Sequence, residues 1–309
     1  MSWVFLTGER AYKLKKPVKY PFLDFSTLSA READCREEVR LNRRLAPDVY
    51  LGVMPLALGA DGQLALGDKG EIVDWLVMMR QLPADKMLDH AITHATVTPS
   101  QINAVAELLS RFYRALEPAD LTPEEYVTHF AREQETNHSL LSDERFDLPE
   151  TAVNTVLSRI EAIITSEPEL LMLRARDGRI VDGHGDLRPD HVCLSAPPVI
   201  IDCLEFNRNF RLVDPFDELA FLSMECERLG APYIGTTLIS QCAEQLGDNP
   251  SERLLAFYTA FRACLRARLA LAHLLEPDPR YPEKWLPLAG SYLAIAERAS
   301  VTLDPQEAR

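Results

Sequence analysis

The sequence predicts a mixed α/β (α+β) chain: a small N-terminal antiparallel sheet carrying one helix, then a larger, mainly helical C-terminal part. Three observations support this. Residues 4–7, 8–10 and 11–15 read as strand, tight turn, strand. Beyond Pro83, apolar residues recur at helical spacing over long stretches. Between residues 181 and 207, two short apolar runs bracket a loop crowded with acids, histidines and an arginine.

The elements follow in order. In the second strand Ala11, Lys13 and Lys15 share a face, because side chains alternate along an extended chain. Residues 17–25 form a connector bearing prolines and aromatics. Ser29 with Glu32 three residues on is a capping-box pattern, opening a charged helix to about Leu45 with Glu38, Leu41 and Leu45 on one side. Residues 53–58 and 63–66, joined by Gly59-Ala60-Asp61-Gly62, make a second hairpin, and 72–79 form a strand ending at Arg80-Gln81-Leu82-Pro83. Ile102, Val105, Ala106, Leu109, Phe112, Tyr113 and Leu116 then repeat at helical spacing between Pro99 and Pro118. Val153, Val156, Leu157, Ile160, Ile163 and Ile164 do the same, and both stripes read as core. The polar stretch 131–147 between them reads as a surface loop or a substrate-facing segment. A helix opens after Asp214-Pro215, and helices near 252–275 and 282–299 close the chain.

The chemistry gathers at His184-Gly185-Asp186-Leu187-Arg188-Pro189-Asp190-His191 and at Ile200-Ile201-Asp202. The first composition suits a loop between buried strands better than a helix. The second is a short apolar strand that ends abruptly in an acid. Two carboxylates so delivered can divide the work, one taking a proton from a hydroxyl and the other holding a hard cation.

These two segments resemble the catalytic loop and metal-binding strand of the aminoglycoside phosphotransferase and small-molecule kinase branch of the protein-kinase fold. More narrowly, the chain is similar to an uncharacterised bacterial group of aminoglycoside phosphotransferase-like proteins, from about Trp3 to the helix after Asp217. The resemblance implies a protein-kinase-like fold of two lobes, residues 1–82 binding nucleotide and residues 83–309 carrying the catalytic loop and substrate site. It implies an ATP- and magnesium-dependent enzyme that phosphorylates a hydroxyl of a small molecule. Asp186 takes the place of the group that orients or deprotonates that hydroxyl, and Asp202 that of the magnesium ligand. Ala11-Tyr12-Lys13 matches the strand lysine that grips phosphates, with Lys15 the alternative. Glu38, or else Glu37, is the helix glutamate that aims the lysine. Residues 80–83 match the hinge that reads adenine, beside Met78 and Met79. Arg188 lies where a guanidinium meets the transferring phosphate. His184 steadies the loop, and Asp217 braces it from the following helix. Arg262, Arg266 and Arg268 fit ion-paired or solvated roles better than an anion site.

Three departures qualify the resemblance. The asparagine expected five residues after Asp186 is His191, a poorer magnesium ligand than an amide oxygen. Glu205, three residues past Asp202, offers an oxygen donor in its place. No glycine-rich phosphate loop precedes Val4, so against the resemblance the chain is expected to begin at the second strand of the usual small lobe, the lid being absent or the protein shortened. Asp202 is followed by Cys-Leu-Glu rather than Phe-Gly. These departures keep a rival reading in play, a nucleotide-binding or scaffolding pseudokinase. A further reading retains the fold and puts a protein hydroxyl in the acceptor's place.

Composition supplies exclusions. A net charge of −14 over 309 residues argues against nonspecific nucleic-acid binding and is compatible with a cationic acceptor. The six cysteines are dispersed with no Cys-x-x-Cys pair, which suits buried thiols in a reducing cytoplasm. No apolar run approaches the roughly 20 residues that span a bilayer. There is no Gly-x-x-x-x-Gly-Lys-Ser/Thr loop and no Gly-x-Ser-x-Gly elbow.

Overall fold

The computed structural model describes residues 2–20 and 23–304. The chain divides into two compact units. One comprises the residues up to Ala115 together with His184–Leu212; the other comprises Leu116–Gly183 and the residues from Val213 onward.

The first unit is built on strands β1 (Ser2–Leu6), β2 (Arg10–Lys15), β3 (Lys19–Tyr20), β4 (Leu23–Asp24), β5 (Tyr50–Leu58), β6 (Leu64–Leu66) and β7 (Glu71–Arg80). Five of them form one antiparallel sheet in the order β1-β2-β7-β5-β6. The strand–turn–strand expected at 4–15 is the β1–β2 hairpin, with Leu6 opposite Ala11. The second expected hairpin is β5–β6, with Leu58 opposite Leu64. Strands β3 and β4 pair within the connector, of which Pro21 and Phe22 lie outside the described residues.

Helix α1 (Leu28–Asn42) packs on this sheet through Cys35 and Val39, which join Ala46, Val49, Tyr50 and Val77 in one core, flanked by Trp75, Met79, Val199 and Ile201. Its start departs from expectation. Thr27, not Ser29, is the N-cap, its hydroxyl accepting from the Ala30 N–H at 3.2 Å. Both residues are good caps; the one that stays extended takes the role. The helix also stops at Asn42, past which the Arg44 and Leu45 N–H groups donate three residues back, to Leu41 and Asn42, and the chain runs on in turns. Helices α2 (Leu88–Thr93) and α3 (Pro99–Arg114) complete this part, α3 opened by a Thr98–Gln101 capping box.

The segment from His184 to Leu212 belongs with this sheet rather than with the helices that precede it. The Cys203 N–H donates to Asn42 Oδ1 (2.8 Å), the Asp202 N–H to the Tyr50 hydroxyl (3.1 Å), and Arg211 is buried. By compactness the first unit runs on to Ala115 and takes in His184–Leu212, whereas the expected lobes divide at 82/83.

The second unit is helical: α4 (Pro123–Leu141), α5 (Glu150–Ser166), α6 (Glu169–Arg176), α7 (Pro215–Arg228), α8 (Pro232–Leu246), α9 (Glu252–Ala272) and α10 (Pro282–Ser300). The α5 stripe from Val153 to Ile164 is buried as its spacing requires. The loop expected at 131–147 is a correction: residues 131–141 are the second half of α4, which a Thr122–Glu125 capping box starts. Asp214 caps α7 by accepting from the Phe216 N–H, and Arg174 clamps Asp214 to Asp248. The three arginines of α9 are ion-paired: Arg262 with Asp217, Arg266 with Glu225, and Arg268 with Glu133. Asp217 thus takes both Arg262 bonds, at 2.7 and 2.6 Å, inside this unit.

Candidate active site

Strand β2 presents Ala11, Lys13 and Lys15 on the face that packs toward α1, and the register sets Ala11 opposite Met79 and Lys13 opposite Val77. Met79 accordingly lies on the inner face with the core, whereas the Met78 sulfur, on the other face, accepts from Arg10. Residues 80 and 81 are bound through their backbone N–H groups to the Val49 and Glu9 carbonyls.

Lys13 is the hub. Its Nζ lies 2.8 Å from Glu38 Oε1 and 2.6 Å from Asp202 Oδ1. Glu38, one helical turn before Asn42, is the glutamate that meets the lysine; Glu37 turns outward to pair with Arg40. Burial by itself would lower the ammonium's pKa, yet the carboxylates of Asp202 and Glu38 raise it well above the usual lysine value. Burial would likewise raise the Glu38 carboxyl, and the two lysine charges overturn that and hold it below the ordinary carboxylate range. Asp202 is depressed as well, chiefly by Lys13.

Lys15 is a second, fully buried hub. Its Nζ meets Glu38 Oε2 at 2.7 Å, Glu205 Oε1 at 2.5 Å and Asp34 Oδ2 at 2.5 Å; the Asp34 approach is an ion pair without hydrogen-bond geometry. Glu38 is therefore shared, one oxygen to each lysine. Glu205, expected as an oxygen donor for a cation, is committed to Lys15, and its carboxyl is pushed up to about 7 by burial and by the Glu38 charge.

The loop at 184–191 is tied to the Asp202 segment by paired bonds. His184 Nε2 donates to the Ile201 carbonyl at 2.9 Å, and its Nδ1 accepts from the Asp186 N–H at 3.3 Å. Burial first, and the neighbouring His191 second, push its pKa down to about 4, so the ring serves as a neutral strut. The Leu204 N–H donates back to the His184 carbonyl, and the Ile201 N–H to that of His191. Gly185 takes φ +86°, and a Cβ there would lie 3.0 Å from Arg211 Cγ and 3.1 Å from the Phe210 carbonyl, so glycine is required. Asp202 itself sits at φ +61°, an uncommon conformation for a non-glycine residue.

Asp186, about a third exposed, has Oδ2 3.2 Å from Arg188 Nε. Arg188 also donates from Nη2 to Asp190 at 2.9 Å and to His191 Nε2 at 3.1 Å. His191 donates from Nδ1 to the Asp186 carbonyl at 2.8 Å, and its Nε2 lies 3.6 Å from Asp202 Oδ2. One imidazole thus connects the two carboxylate segments. Tyr50, Asn42 and Arg211 complete the scaffold, Arg211 donating to the Leu204 and Glu205 carbonyls. Sequence reasoning missed these three; the spacing Glu38–Asn42 on one helix face was the only available signal.

The donor set accommodates a divalent cation at the oxygen of Asp202 that Lys13 leaves. Among the described residues no group of three or more His, Cys, Asp or Glu forms a ready cation cage. Magnesium bound beside a nucleotide needs none, since one or two protein donors suffice when phosphates and water fill the remaining positions.

Uncharacterised proteins of Mycobacterium tuberculosis and Mycobacterium bovis are each 33% identical to the chain over 282 residues, covering 89% of it and 54% of their own length. The chain thus spans about half the length of these curated relatives. The GDP and kanamycin complex of an APH(2″) enzyme superposes with a TM-score of 0.60 at 14% identity, covering 96% of this chain and 90% of that one. A choline/ethanolamine kinase family protein from Mesorhizobium loti does so with a TM-score of 0.56 at 14% identity, covering 98% and 85%. These likenesses show a kinase-like fold. A model of the phosphotransferase enzyme family matches residues 8–254. The chain belongs to the phosphotransferase enzyme family.

Proposed function

We propose that the chain transfers the terminal phosphoryl group of ATP to a hydroxyl of a small molecule. The observation that carries this reading is Lys13, whose one ammonium meets both Glu38 and Asp202. A lysine so aimed by a helix glutamate is suited to the inner phosphates, which neutralise the charge it now shares with Asp202. Met79, on the inner face of the strand leading to residues 80–83, would border an adenine whose edge the backbone there reads. Asp202 would hold the magnesium ion, which supplies charge neutralisation at the phosphates, while His191, whose Nε2 accepts from Arg188, stands 3.6 Å from the second Asp202 oxygen. Asp186 would accept or orient the acceptor's proton, with the Arg188 guanidinium beside it to meet negative charge on the group in transfer. His184 and Lys15 position these groups without touching substrate. The acidic chain and the choline and kanamycin named for structural neighbours favour a cationic acceptor.

A second reading, a nucleotide-binding pseudokinase, is favoured by the Arg188 guanidinium lying across Asp186. One experiment separates the two. Magnesium–ATP is expected to raise the melting temperature of the wild type and of Asp186→Asn equally, and that of Asp202→Asn far less. Aminoglycosides, amino alcohols, sugars and nucleosides are then screened for ATP-dependent phosphorylation. Asp186→Asn should abolish turnover of any acceptor found. Undiminished turnover would discard Asp186, and ATP stabilisation with no acceptor turned over would favour the pseudokinase. Equal stabilisation of wild type and Asp202→Asn would remove Asp202 as metal ligand.

A further inference from the structure

We infer that Arg10 and Arg80 form a binding site for the phosphoryl dianion of a small phosphate monoester, on the face of the sheet turned away from Lys13. The site is separate from the one proposed to hold nucleotide and does not depend on it.

Strand register brings the two arginines together. Arg10 of β2 lies directly opposite Arg80 of β7, one residue before the pair Ala11–Met79. Side-chain alternation therefore turns both guanidinium groups away from Lys13 and the Met79 core. Residues so opposed have Cβ atoms about 4.5–5.5 Å apart, and like charges there are destabilising. Carboxylates are not scarce, since the chain has 47 acids to 33 lysines and arginines. Exposed arginines elsewhere use them: Arg36 pairs with Glu32, Arg40 with Glu37, Arg145 with Asp143 and Arg298 with Glu227. Arg10 and Arg80 have no carboxylate partner among the described residues, although Glu9 adjoins Arg10 in the chain. Arg10 donates only to the Met78 sulfur, at 3.5 Å, and a thioether is a weak acceptor.

The two arginines line one concavity of about 530 Å³ with Gly8, Glu9, Leu51 and Gln81. Its rim is braced, because the Gln81 N–H donates to the Glu9 carbonyl at 2.9 Å and holds the β1–β2 turn to the end of β7. A guanidinium presents a planar fork that matches two oxygens of a phosphate, so two forks can engage all three terminal oxygens of a monoester. A dianion cancels both charges, whereas a carboxylate leaves one uncompensated. Leu51, 38% exposed, offers an apolar contact to the organic group of the ester. The Glu9 carboxylate disfavours a ligand with further negative charge, such as a polyphosphate.

The test uses the full chain with magnesium and a saturating non-hydrolysable ATP analogue, and titrates phenyl phosphate against assigned nitrogen-15 arginine Nε–H signals. The Arg10 and Arg80 signals should shift together and saturate. Arg10→Lys should bind the ester more weakly, and Arg10→Gln at least about tenfold more weakly. Without ligand, Arg10→Gln should melt no lower than the wild type, because it relieves the opposed charges. Phenyl phosphate should bind more tightly than inorganic phosphate through its contact with Leu51; equal affinities would overturn the ester as the ligand class. Unmoved Arg10 and Arg80 signals would overturn the site, as would unchanged affinity in a folded Arg10→Gln. Displacement of phenyl phosphate by the ATP analogue would place the ester in the nucleotide's own contacts and overturn the separate site.

Discussion

At the scale of single residues, the two lysines of β2 divide one glutamate between them and have different exposure. Lys13 remains partly accessible, whereas Lys15 is sealed among Asp34, Glu38 and Glu205. Removing one partner of a buried charge group costs about 3–5 kcal/mol, because the remaining charges are stranded. Lys15→Met is therefore expected to lower the melting temperature by on the order of 10 °C, and adding Glu205→Gln should restore part of the loss. An unchanged melting curve for Lys15→Met would show that the cluster contributes no stability. His184 makes a pH prediction. Its folded pKa near 4 lies below the ordinary 6.5, so the unfolded chain binds the extra proton between those values. Its contribution is complete above about pH 6.5 and is lost as pH falls toward 4, roughly 3 kcal/mol in all. Glu205 has the opposite sign: a carboxyl raised to about 7 stabilises below its ordinary 4.5 and loses that contribution as pH rises to 7. The two oppose each other in the wild type. Chemical denaturation from pH 4 to 7 should expose each in turn, with stability falling toward neutral pH in His184→Gln and rising in Glu205→Gln. Parallel profiles for all three proteins would contradict these assignments.

At the scale of elements, legibility depended on how local the signal was. The β1–β2 and β5–β6 hairpins and the α3 and α5 stripes follow from alternation and helical spacing that neighbouring residues supply. Helix α4 was hidden because its buried face runs Tyr126, Phe130, Gln134, Asn137, Leu141, and its two amides break an apolar count. Gln134 is buried because its amide donates to the Leu157 carbonyl of α5, a partner that only packing brings near. The α7–α8 contact yields a prediction of its own. A Cβ on Gly235 would fall 1.9 Å from Ser223 Oγ and 2.5 Å from Ser223 Cα, so the two helices touch backbone to backbone. Gly235→Ala should destabilise by about 1–3 kcal/mol through overpacking, despite alanine's better helix propensity, as denaturant midpoints would measure. Stabilisation instead would mean the helices separate freely there.

At the scale of the whole molecule, every candidate site residue lies in the unit made of the residues up to Ala115 and His184–Leu212. Nucleotide with a divalent cation should therefore protect amides of β2, α1 and residues 184–205 from hydrogen exchange. Protection concentrated in α4–α10 would place the ligand elsewhere. Sequence by itself determined the two chemical segments, the strand lysines and the helix glutamate, because spacing along a strand, a helix turn or a short loop is written into residue order. Only the tertiary structure decided which acid each lysine meets, that Glu205 serves Lys15, that Tyr50 and Asn42 hold the backbone at 202–203, and that Arg188 lies against both Asp186 and His191. The contacts of Lys13 with Asp202, Lys15 with Glu205, Tyr50 with Asp202 and Asn42 with Cys203 join residues 152 to 190 apart along the chain, where burial and charge together select the partners.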